Sequence, residues 1–101
     1  MTMNLKAITV CMGYQQITSL GSAKNLTVPE TDKSGLRQMP TFALITPLTG
    51  AVRWRDDGGT PTASIGMPLA AGVTLQYDGN LKAIKFIDNG GTAELNISYY
   101  A

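Results

Sequence analysis

The sequence predicts an all-β fold: an antiparallel β-sandwich, jelly-roll-like or closed into a small β-barrel. Three observations predict it. Eleven glycines and five prolines are spread among short segments rich in Val, Ile, Thr, Tyr and Phe. No apolar set recurs at helical spacing through three turns. The run 92–100 alternates cleanly, with Ala93, Leu95, Ile97 and Tyr99 on one face and Glu94, Asn96 and Ser98 on the other. The chain has 101 residues, which suits one β domain over 1–101 with one core.

In chain order, Leu5 to Thr18 is expected to supply an opening strand or two. Ala7, Thr9 and Cys11 would lie on one face and Ile8, Val10, Met12 and Tyr14 on the other, both apolar as in a central strand. From about 19 to 40 the composition shifts to Gly, Ser, Asn, Thr, Pro, Asp and Lys, which predicts a loop-rich segment with Leu26 and Val28 as its apolar beat. Phe42–Thr46, fenced by Pro40 and Pro47, is the next strand, and Val52–Arg55 follows across a Thr49-Gly50 turn, so the two are expected to pair as a hairpin. The turn formers Asp56-Asp57-Gly58-Gly59-Thr60-Pro61-Thr62 come next. Ile65 and Met67 then lead to a strand at Val73–Tyr77. Asp78-Gly79 is a two-residue hairpin signal, which predicts that Leu81–Ile87 folds back on that strand. Asp88-Asn89-Gly90-Gly91 turns the chain into the final strand, whose C-terminal end is expected to be paired into a sheet.

Composition narrows the chemistry. Only 15% of residues are charged, against about 25% in an ordinary soluble domain. The net charge of +1 offers no basic field for a phosphate backbone, so no nucleic-acid partner is expected. Histidine is absent from the sequence, which removes the commonest general base and metal ligand. Neither an enzyme, a metal site nor a cofactor is expected. The single cysteine, Cys11, lies in an apolar setting and is expected to be a buried core residue. No stretch approaches the roughly 18 apolar residues of a transmembrane helix, and Met1-Thr2-Met3-Asn4-Leu5-Lys6 lacks the pattern of a signal peptide. No membrane partner is therefore expected, and synthesis is expected in the cytoplasm. Two acceptor-like triplets, at Asn25 and Asn96, read as chance matches.

Asp56, Asp57, Asp78 and Asp88 could in principle furnish a carboxylate pair for glycoside hydrolysis, but each lies in or beside a Gly-containing turn, where capping of local backbone is the expected use. The acidic spacing of a known calcium loop is missing. Arg53-Trp54-Arg55 puts two guanidinium groups on one strand face and the indole on the other. Trp and Arg are the side chains most enriched at interface hot spots, so Arg53, Trp54 and Arg55, with Tyr99 and Tyr100, are the candidate protein-interface residues. The competing expectation puts Trp54 in the core and pairs the arginines with Asp56 or Asp57.

The run Ala51 to Leu69 with its Arg53-Trp54-Arg55-Asp56-Asp57-Gly58 turn and Pro61-Thr62-Ala63-Ser64-Ile65-Gly66-Met67 crossing, the strand Ile84-Lys85-Phe86-Ile87, and the terminal Leu95-Asn96-Ile97-Ser98-Tyr99-Tyr100 resemble small virion structural proteins of tailed bacteriophages. The likeness covers about half the chain. Ile97 stands where the group usually has Val, and Gly59 extends the turn. The resemblance implies a β-sandwich or jelly roll of the head decoration (cement) type, which binds and stabilises the major capsid protein shell. It also implies self-association as a dimer or higher homo-oligomer, a place on the capsid surface after synthesis in the host bacterial cytoplasm, and no turnover. A tail or adsorption-apparatus component and a glycan-binding module using Trp54, Tyr77, Tyr99 and Tyr100 are the alternatives. Thr41 to Ala51 carries no charge and Leu5 to Leu20 only Lys6, which favours the N-terminal half as a surface for burial against another protein.

Overall fold

The computed structural model describes residues 9–30 and 39–101. Leu5–Ile8 of the expected opening strand and 31–38 of the loop-rich segment lie outside the described residues. Among the described residues eight strands form: β1 (Cys11–Ile17), β2 (Lys24–Asn25), β3 (Phe42–Leu48), β4 (Val52–Arg55), β5 (Met67–Leu69), β6 (Leu75–Tyr77), β7 (Lys85–Asp88) and β8 (Glu94–Tyr100). They make two four-stranded antiparallel sheets. The first has the order β1-β8-β3-β6 and the second β2-β7-β4-β5. No helix occurs among the described residues.

The expected alternation of the last strand is what the structure shows. Ala93, Leu95, Ile97 and Tyr99 are buried, and the intervening residues face outward. β8 lies between β1 and β3, and its C-terminal end is paired: Val10 and Ala101 exchange both backbone hydrogen bonds (2.9 and 3.0 Å). Inward-facing Met12, Ala43 and Ile45 from the first sheet meet Val52, Leu69 and Phe86 from the second, with Leu20, Leu26, Leu81 and Ile84 closing the ends. Burial of these apolar side chains drives the two layers together.

Several expectations are corrected. Cys11 is exposed, because a β-bulge between Cys11 and Gly13 changes the parity of β1. Cys11 opposes Tyr100 and Tyr14 opposes Ser98, so both point outward while Met12 between them points into the core. Gly13 is required by packing, since a Cβ there would meet Pro29 Cγ at 2.9 Å. β3 and β4 do not form a hairpin: they belong to different sheets. The chain crosses between layers at Thr49, which adopts φ 63° with its hydroxyl within reach of the Leu48 and Thr92 carbonyls (2.6 and 2.7 Å). β6 and β7 likewise lie in different sheets, and Asp78-Gly79-Asn80 carries the chain across instead of folding it back. Pro47 does not end β3. The strand runs on to Leu48, because β6 pairs only as far as Ile45 and leaves that side open, where the Pro47 carbonyl accepts the Gly72 N–H (2.8 Å).

Candidate functional site

β4 organises the most distinctive surface. Trp54 faces inward, is half-buried against the core and meets Tyr77 edge-to-face with ring centroids 6.0 Å apart. Beside it the sandwich flank is open, where Trp54, Ile65, Gly66 and Met67 line a groove of about 300 Å³ with Arg55, Asp56 and Asp57 at its rim. Ile65 and Met67 are each 56% exposed, a high value for large apolar side chains on a small domain. Trp54 thus combines the two readings its sequence position allowed: one part of the ring packs on the core and the rest lines the groove.

The two arginines have different local duties. Arg53 ties down the strand connection that carries Ile65: its Nε donates to the Ala63 carbonyl (3.1 Å) and Asn89 Oδ1 (3.3 Å), and one terminal nitrogen donates to the Gly66 carbonyl (3.0 Å). Arg55 makes a bidentate pair with Asp57, Nε to Oδ1 at 3.0 Å and Nη2 to Oδ2 at 2.6 Å. Asp57 also caps the Gly59 N–H (3.1 Å). The Arg55 hydrogen bonds and the Gly59 cap hold the Asp57 carboxyl at about 2, below the ordinary aspartate value. A Cβ at Gly59 would meet the Arg55 guanidinium, so a larger residue there would displace that side chain from its pair with Asp57.

The remaining carboxylates are mostly committed locally. Asp56 accepts the Tyr77 hydroxyl (2.7 Å), and burial together with this bond pushes the Tyr77 phenol up to about 12. Buried Asp88 caps the Gly91 N–H. Among the described residues no cluster of three or more His, Cys, Asp or Glu is gathered as a metal site.

Of the interface candidates, Arg53, Trp54 and Arg55 stand together on β4, whereas Tyr99 and Tyr100 lie on the other sheet and on opposite faces of it. Tyr99 is corrected to a core residue. It is fully buried, its hydroxyl donates to Gln15 Oε1 (2.7 Å), and burial raises its pKa. The period-two alternation places it there, since Tyr99 continues the inward set of Leu95 and Ile97. Tyr100 is on the outer face and stacks on Phe42 with centroids 5.3 Å apart at 18°. The four aromatics of a glycan-binding surface do not stand together in solvent, because Tyr77 and Tyr99 are buried. Ile65 and Met67 escaped the sequence reading as site residues. Their signal was two apolar positions, 65 and 67, beside Gly66 and Pro68 in a segment too short for a central strand.

The outer face of the first sheet forms a second, different surface. Across the strands run the rows Cys11–Tyr100–Phe42, Tyr14–Ser98–Leu44–Gln76 and Gln16–Asn96–Thr46, ending at Glu94–Leu48. Neutral hydrogen bonds link its polar groups, Tyr14 to Asn96, Ser98 to Tyr100 (3.1 Å) and Thr46 to Thr74 (2.7 Å).

Among the described residues these features define two four-stranded β-sheets with an aromatic groove at one flank and an outer face on the first sheet whose one charge is Glu94. Comparisons with protein-family models, with curated proteins and with solved structures return no match.

Proposed function

We propose that this chain is a structural protein of a tailed-phage virion, a decoration or cement protein that sits on the capsid surface and stabilises the major capsid protein shell. The finer fold reading is a jelly roll. Strand pairs β1–β8, β2–β7, β3–β6 and β4–β5 are nested one inside the next, as in one long antiparallel ribbon folded over on itself into two four-stranded sheets. Jelly rolls serve in viral capsids and in lectins, and the fold alone does not choose between them. The observation that carries the choice is the flank groove, where half-buried Trp54 is bordered by exposed Ile65 and Met67 and by Arg55. A large aromatic, apolar neighbours and a guanidinium at the rim form the composition of a protein-interface hot spot. The groove presents exposed apolar side chains, and its carboxylates are engaged with Arg55, Gly59 and Tyr77.

The test uses phage particles prepared without this chain. Adding it back should raise their resistance to heating and chelation, and Trp54, the only tryptophan, should change its emission as the groove is covered. Met67→Asp should abolish particle binding while leaving the free fold intact. Particles that neither bind the chain nor differ in resistance without it would refute the proposal.

A further inference from the structure

We propose that the outer face of the β1-β8-β3-β6 sheet is a self-association surface, on which a second copy of this chain packs face to face about a two-fold axis. In such a contact every patch meets itself. A surface suits that arrangement when it carries little charge and when its polar groups both donate and accept.

The first sheet meets both conditions. Its four strands contain one charged side chain, Glu94, at the end of the face beside Leu48. Its polar groups are hydroxyls and amides, which pair with their own copies in either sense. The Phe42–Tyr100 stack, Leu44 and the 65% exposed Tyr14 supply flat apolar area across it. The second sheet fails the charge condition. Arg55 and Lys85 stand directly opposite each other on β4 and β7, Arg53 shares their face, and only Asp57 offsets them within ion-pair distance. Two such faces brought together would repel.

Size sets the strength. Strands of seven residues span about 23 Å, and the sheet covers roughly 400 Å² in plan, so two copies enclose about 800 Å² before side-chain relief is added. That is the size of a weak, transient contact, so dissociation in the micromolar range or above is expected. The surface is separate from the flank groove, so the inference does not depend on what the groove binds.

Sedimentation equilibrium of the purified chain alone tests it. A monomer–dimer equilibrium in the micromolar range or above is expected. Leu44→Lys, which places two like charges near the axis, should weaken the dimer at least tenfold. Tyr14→Glu should do the same from an exposed position that the fold does not depend on. Ile87→Lys, on the outer face of the second sheet, should leave the association unchanged. Cys11, the single cysteine and part of the same face, should react more slowly with a thiol reagent as protein concentration rises. A chain that remains monomeric at hundreds of micromolar, or a dimer weakened by Ile87→Lys and indifferent to Tyr14→Glu, would overturn the proposal. Neither outcome touches the particle-binding test, which reads a different surface.

Discussion

The two sheets are built from unlike material. Three strands of the first are seven residues long, whereas those of the second run from two to four. The first carries Glu94 as its one charge, while the second carries Lys24, Arg53, Arg55, Lys85 and Asp88. Long paired strands give cooperative stability, and short ones leave room for the loops that bear Ile65 and the Arg55–Asp57 pair. A small sandwich can thus divide its work, with one layer as a sparsely charged wall of long strands and the other as the place where local polar bonding shapes a groove.

The largest expected effects probe that division through the core. Ile97→Ala, at the fully buried centre of the first sheet, should cost about 2–5 kcal/mol in denaturant unfolding. Leu69→Ala, on the three-residue edge strand β5, should cost clearly less, since that edge relaxes more readily around a void. Equal losses would mean that the two sheets are equally rigid. Hydrogen exchange sharpens the contrast: amides of β8 and β3 should exchange only through global unfolding, while those of β2 and β5 open locally.

Arg53→Ala comes next. Losing its three acceptors should cost about 1–3 kcal/mol and loosen residues 63–66, visible as faster exchange there.

Alkaline pH should then reveal the burial of the Tyr77 phenol and its bond to Asp56. The folded phenol titrates at about 12 against 10 when free, so its contribution is complete below pH 10 and is lost as pH rises through 12. Tyr77→Phe should flatten that part of the stability profile; an unchanged alkaline slope would remove Tyr77 as its source. Buried Tyr99 has a shift of the same sign, so part of the slope should persist in this variant.

The smallest effect belongs to Asp57→Asn. Its carboxyl is lowered to about 2 from 3.8, so it favours the fold above pH 4 and loses that effect as pH falls through 2. Because the pair with Arg55 lies in solvent, no measurable change in midpoint is expected at neutral pH.

Much of this arrangement was legible in the residues. The class, the turn-forming aspartates and the face of every residue in 93–99 followed from composition and period-two patterning. The partners of the strands did not. Thr49-Gly50 and Asp78-Gly79 look locally like hairpin turns, but burying both apolar layers requires the chain to change sheets at each, and turn chemistry does not encode which sheet receives the next strand. The fate of Cys11 was equally hidden, since one extra residue in β1 reverses the facing of everything before it. On β4, Arg53, Trp54 and Arg55 were visible as a triplet, while Ile65 and Met67 beside Trp54, and Tyr77 against its ring, joined them only through the fold. Tyr99 was separable from Tyr100 by the same alternation that positioned Leu95 and Ile97.

Electron cryomicroscopy of phage particles carrying and lacking the chain decides whether it coats the head. Difference density is expected on the head shell, with the Trp54–Met67 flank of each copy against the capsid protein and the β1-β8-β3-β6 faces turned toward one another. Density confined to the tail, or no density on the particle, would contradict that placement.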